Sequence, residues 1–80
     1  MKNKPKYYNI SVKYPKGKNY TPADVMRRWA MENYESFYRD KYGKPYIRLY
    51  HIPYYYESWN ISCNGDIEVV TITLKQIGGN

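Results

Sequence analysis

The sequence predicts a small α+β domain. The expected order is strand, helix, strand, strand, strand, forming a four-stranded, mostly antiparallel sheet with one amphipathic helix on one face. Three observations predict it. Residues 7–14 alternate between apolar and polar side chains, residues 21–43 carry a capped helical pattern, and residues 45–74 hold further alternations interrupted by Asn64-Gly65. Eighty residues make a single domain, with 1–5 and 76–80 expected to fray. A chain of this length has a thin core, so each buried side chain must be large. Twelve tyrosines against one Phe and two Trp supply that bulk, and each tyrosine wants its ring packed and its hydroxyl bonded or wet. Lys, Asn, Ile and Tyr are also what AT-rich coding favours, which accounts for part of the tyrosine count but less well for its clustering.

In "KYYNISVKYP", Tyr8, Ile10, Val12 and Tyr14 point one way and Tyr7, Asn9, Ser11 and Lys13 the other. That is a half-buried strand, closed by Pro15 and Gly17. "TPADVMRRWAMENYESFYRDKYG" reads as one long helix. Thr21 is placed as N-cap, Pro22 at N1 and Asp24 at N3, and Gly43 with Pro45 provides the stop. Val25, Met26, Trp29, Ala30 and Phe37 share its inner face. Asp24–Arg28 and Glu35–Arg39 are spaced as outer i,i+4 pairs, with Arg28–Glu32 a reversed one. A face so evenly charged is a poor reader of DNA, and the helix is expected to be scaffold.

Next, Ile47 and Leu49 alternate with Tyr46, Arg48 and Tyr50. Trp59, Ile61 and Cys63 then alternate with Tyr56, Ser58, Asn60 and Ser62, with Pro53-Tyr54 marking the bend between the two strands and Tyr55 on the core side. A two-residue Asn64-Gly65 turn would pair Cys63 with Asp66, Trp59 with Val70 and Tyr55 with Leu74. Trp59, Ile61, Val70, Ile72 and Leu74 then form one apolar surface, with Thr71 and Thr73 on the other side.

One helix covers one side of such a sheet, so the second side faces solvent or a partner. Its expected residues include Tyr7, Lys13, Tyr46, Arg48, Tyr50 and Tyr56. The net charge of +6 has a definite origin. Lys2, Lys4, Lys6, Lys13, Lys16 and Lys18 lie in the first twenty residues with no acid among them, whereas basic and acidic side chains cancel in the rest. Lysines supply point charges for general attraction to phosphate, and tyrosines between cations suit single-stranded bases. The candidate binding residues are therefore Lys4, Lys6, Tyr7, Lys13, Lys16, Lys18, Tyr46, Arg48, Tyr50 and Tyr56. A plain wetted sheet face, rich in Tyr and Thr for strand propensity, is the competing account.

Catalytic chemistry has little footing. His51 has only Glu57 nearby in sequence and is expected at the edge of the core. Arg48 and His51 should point to opposite faces, which weakens a ribonuclease-like grouping of Arg48, Tyr50 and His51. Ligand types and spacing for a metal are lacking, and no glycine-rich phosphate loop follows a strand. The one cysteine, Cys63, rules out an intramolecular disulfide and is expected as a small core residue. No apolar run is long enough for a membrane span, and residues 1–20 lack a signal-peptide centre, so a cytoplasmic setting is expected.

The expected function is a non-catalytic module binding nucleic acid, single-stranded or RNA, without cofactor or metal. The alternative is a protein-interaction module of phage or mobile-element type. It would inhibit a host or defence nucleoprotein, for example a CRISPR effector, or homodimerise through the open face or a free sheet edge. A ribonuclease-type toxin stands third.

Overall fold

The structure is a computed structural model that describes residues 5–77. Its strands are β1 (Tyr7–Pro15), β2 (Ser36–Arg39), β3 (Pro45–Leu49), β4 (Ile52–Asn64) and β5 (Ile67–Gln76), with one helix, α1 (Pro22–Glu32). The sheet has five strands, not four, in the order β1-β5-β4-β3-β2, and every neighbouring pair is antiparallel. β1 and β2 therefore run parallel at opposite edges, and α1 crosses one face between them. The α+β class stands, and the extra strand comes from the expected long helix.

That helix stops early for a local reason. Thr21 and Asp24 close the expected capping box. The Thr21 N–H donates to the Asp24 carboxylate at 2.9 Å, and the Asp24 N–H donates to the Thr21 hydroxyl at 3.2 Å. At the other end Asn33 is the C-cap, and Tyr34 takes a left-handed conformation with φ 58°. The Glu35 N–H then reaches back to the Ala30 carbonyl, completing a Schellman turn without glycine. Phe37, expected on the helix, instead packs against the core from β2. Arg39 donates to the Gly43 carbonyl from outside the helix. The Glu35–Arg39 spacing thus has no helical meaning. Asp24 is committed to its cap, and Arg28–Glu32 at 3.2 Å is the one ion pair among the described residues.

The core lies between α1 and the inner face of the sheet. Val25, Met26 and Ala30 meet Ile10, Val12, Tyr14, Ile47, Leu49, Val70, Ile72 and Leu74. Each fully buried aliphatic side chain here contributes roughly 1.5–3 kcal/mol relative to exposure. Tyr54 is also fully buried, although the sequence suggested a bend there. Its hydroxyl donates to the Pro5 carbonyl, which also accepts from Gln76 Nε2 at 2.9 Å.

Two features of β4 alter the expected register. Its turn with β5 is Gly65-Asp66, closing on Asn64↔Ile67, so Trp59 faces Ile72 and Cys63 faces Glu68. Gly65 carries the positive φ that a two-residue hairpin turn requires at its first position. The slide is by an even number of positions, so side chains keep their expected faces near the turn. Glu57 then forms a bulge between Tyr56↔Leu74 and Ser58↔Thr73, and below it every face reverses. Tyr55, expected inside, points to the open face. Tyr56, expected outside, points to the helix side.

The β3–β4 bend lies at Tyr50-His51, where φ is 55° and 64°, and not at Pro53-Tyr54. Tyr50 is thus a turn residue, not a strand residue. His51 is exposed in the turn and not at the core edge, and Cys63 is exposed near the hairpin tip.

Candidate nucleic-acid interface

The open face of the sheet is built by strand pairing. Following the pairs across one row places Tyr38, Tyr46, Tyr55, Lys75 and Tyr7 side by side, one from each strand. The rings of Tyr38 and Tyr46 stack with centroids 5.4 Å apart, and those of Tyr46 and Tyr55 follow at 5.2 Å. The Lys75 ammonium stands over the Tyr7 ring at 5.8 Å, and the Arg48 guanidinium over Tyr38 at 5.7 Å. A row of tyrosines interleaved with cations therefore crosses the whole sheet.

Beyond this row the upper face carries Asn9, Ser11 and Lys13 from β1, Thr71 and Thr73 from β5, and Ser58, Asn60 and Ser62 from β4. Ser11 and Thr71 share a hydrogen bond at 3.2 Å, and Thr73 donates to Asn9 at 2.9 Å. Three cations, Lys13, Arg48 and Lys75, lie on this face. None of its strand-paired positions holds a carboxylate among the described residues. A protein with seven acids thereby keeps the paired positions of one sheet face free of negative charge, with Asp40 at its margin.

Asp40 reaches the middle of the row, at Tyr55, from the β2–β3 turn. Its carboxylate accepts from the N–H groups of Tyr42 at 2.8 Å and Lys44 at 2.9 Å, and from the Tyr55 hydroxyl at 3.2 Å. Desolvation pushes the Asp40 pKa up, but these donors and the nearby Lys44 charge outweigh it and hold the carboxyl below its ordinary value. The Tyr55 hydroxyl is raised, by desolvation first and then by its bond to Asp40. Beside them opens a cleft of about 660 Å³, whose walls include Asp40, Tyr42, Lys44, Pro45, Tyr55 and Tyr56.

The candidate residues divide. Tyr7, Lys13, Tyr46 and Arg48 share the open face as expected, with Lys13 three outward positions along β1 from the row. Tyr50 sits in the adjoining turn, with its ring 6.5 Å from that of Tyr54. Tyr56 belongs to the helix side, because the Glu57 bulge turns it over. Lys6 precedes β1, Lys16 and Lys18 occupy the β1–α1 loop, and all three are exposed. Lys18 lines a separate hollow with Tyr14 and Arg28, on the helix side. Lys4 lies outside the described residues. The four described N-terminal lysines, Lys6, Lys13, Lys16 and Lys18, thus do not form one patch.

Three residues of the row escaped the sequence reading. Tyr38 was hidden inside the over-long helix, and Tyr55 was misplaced by the bulge. Lys75 was readable, since it continues the Thr71–Thr73 alternation, but the segment after Leu74 was expected to fray.

No protein-family model matches the chain, and no curated protein or solved structure matches it either. Among the described residues no three His, Cys, Asp or Glu side chains gather as metal ligands, and no helix is long and apolar enough to cross a membrane.

Proposed function

We propose that the open sheet face binds single-stranded nucleic acid, with RNA the favoured form. The observation that carries this reading is the surface on which Lys75 and Arg48 accompany a tyrosine row, with Lys13 farther along β1 on the same face and no carboxylate at the paired positions. Neutralising phosphates and releasing their counterions supplies the affinity. The tyrosine row plays a smaller part than composition suggests. Tyr38, Tyr46 and Tyr55 turn their ring faces toward one another, so inserting a base between them would part an existing stack. What they offer a strand is ring edges and polar rims, beside the hydroxyls and amides of Ser58, Asn60 and Thr71. Binding is thus expected to be weakly selective in sequence, with single strands preferred because their bases can lie against the rings.

Titration of labelled single-stranded RNA and DNA at several salt concentrations tests this. Engagement of the three face cations predicts a slope of log K against log salt of about −2. Lys75→Glu with Arg48→Glu should abolish most binding. Lys41→Glu with Lys44→Glu, an equal change of charge at the β2–β3 turn, should weaken it far less. Absent binding at low salt, or binding indifferent to salt, overturns the proposal.

A further inference from the structure

The sheet has an edge that pairing leaves open in its middle. β3 stays with β4 only from Ile52 to Tyr55, so beyond the Glu57 bulge β4 is paired on the β5 side alone among the described residues. The other edges are guarded. β2 has four residues, and β1 is charged and flanked by Pro5 and ends in Pro15. The free stretch, residues 58–64, reads Ser-Trp-Asn-Ile-Ser-Cys-Asn and holds no charge and no proline.

We propose that this edge pairs with the same edge of a second copy of the chain, antiparallel about a two-fold axis at Ile61. Three properties favour a second copy. First, backbone polarity fits. The two-residue turn closes on Asn64↔Ile67, a pair that bonds within the hairpin, so by alternation Trp59, Ile61 and Cys63 direct their N–H and C=O groups outward. Those residues meet as Trp59 with Cys63, Ile61 with Ile61 and Cys63 with Trp59, forming about six hydrogen bonds.

Second, side chains match themselves. Apolar meets apolar at these pairs, and polar meets polar where Asn60 faces Ser62 and Ser58 faces Asn64. Ile61 is 42% exposed in the single chain although it lies on the inner, apolar face, and the pairing would cover it. Within residues 58–64 no like charges are brought together, the usual bar to self-pairing at a two-fold axis.

Third, the ends are complementary. Each Gly65-Asp66 turn arrives where the other copy's β3 begins, beside the cleft at Pro45. There the Asp66 charge would approach the turn in which Lys41 and Lys44 outnumber Asp40. The axis is normal to the sheet, so both open faces look the same way. The dimer would present two tyrosine rows on one continuous surface.

Light scattering on nuclease-treated protein reads the mass without any bridging nucleic acid. Wild type is expected at twice the chain mass and Ile61→Lys, which opposes two charges at the axis, at the chain mass with an unchanged circular dichroism spectrum. Ile61→Cys in a Cys63→Ser background should form a disulfide-linked dimer under mild oxidation, since opposed Cα atoms in a bonded pair sit at about 5.5 Å. Asn9→Cys in the same background should not. A monomeric wild type, a folded Ile61→Lys variant that stays dimeric, or equal cross-linking at positions 9 and 61 overturns the proposal.

Discussion

Tyr34 is 97% exposed and contributes little to the core, yet it occupies the left-handed position that ends α1. His51 occupies the second left-handed position of the β3–β4 turn. A side chain with a Cβ is disfavoured in this conformation by roughly 1–2 kcal/mol, and glycine is not. Glycine also gives freedom back to the unfolded chain, which offsets part of the gain. Tyr34→Gly and His51→Gly are each expected to stabilise the protein by about 0.5–1 kcal/mol. Chemical denaturation reads this as a higher midpoint at unchanged slope. The same two positions explain where reading from sequence failed. A helix stop and a hairpin turn are usually signalled by Gly or Asn, and here tyrosine and histidine hold those places, so neither boundary could be seen.

At the scale of elements, two carboxylates hold the ends of segments together. Backbone and side-chain bonds with Thr21 lower the Asp24 pKa, and the turn donors lower that of Asp40 despite its desolvation. A carboxylate with a depressed folded value contributes stability that is fully present above its unfolded value, near 3.8 for both. That stability drains as pH falls through the lower folded values. Thermal unfolding followed from pH 6 down to pH 2 should therefore show a loss that begins near pH 4. Asp40→Asn should flatten this dependence, and it should also loosen Tyr55 at the middle of the row. Thr21→Ala should cost about 1 kcal/mol at neutral pH.

Elements with ordinary punctuation were legible in advance. β1 was placed with both its faces, the capping box was read residue by residue, and the β4–β5 hairpin was found with its faces right near the turn. Part of what remained hidden follows from one extra residue. Alternation cannot announce a bulge, so Glu57 silently exchanged the faces of Tyr55 and Tyr56. One tyrosine of the row was lost with them, and Tyr38 was lost to the over-long helix.

For the molecule as a whole, stability concentrates in β5. It lies between β1 and β4 and buries Val70, Ile72 and Leu74 completely. A domain of this length holds a net stability of about 4–12 kcal/mol, and Leu→Ala at a closed core site costs about 2–5 kcal/mol. Leu74→Ala is thus expected to remove a large part of the total and to lower the urea midpoint strongly. An outer-face change such as Lys75→Glu should leave that midpoint nearly in place, which keeps the binding test separate from unfolding.

The pairing of Tyr7 with Lys75 has a consequence in time as well as in space. Among the described strands β1 has one partner, β5, the last of the five in chain order, so its contacts join positions nearly the whole described chain apart. At a synthesis rate of about 5–20 residues per second, β1 waits on the order of several seconds for β5. Its one lysine, Lys13, and its unpaired edge are held in solution meanwhile, where charge is a sound defence against premature pairing. The tyrosine row, which needs all five strands, is complete only when the sheet closes. Contacts of such long sequence separation also slow folding. The open tyrosine face would then be the last part of the described sheet to form, and its appearance would coincide with the closing of that sheet.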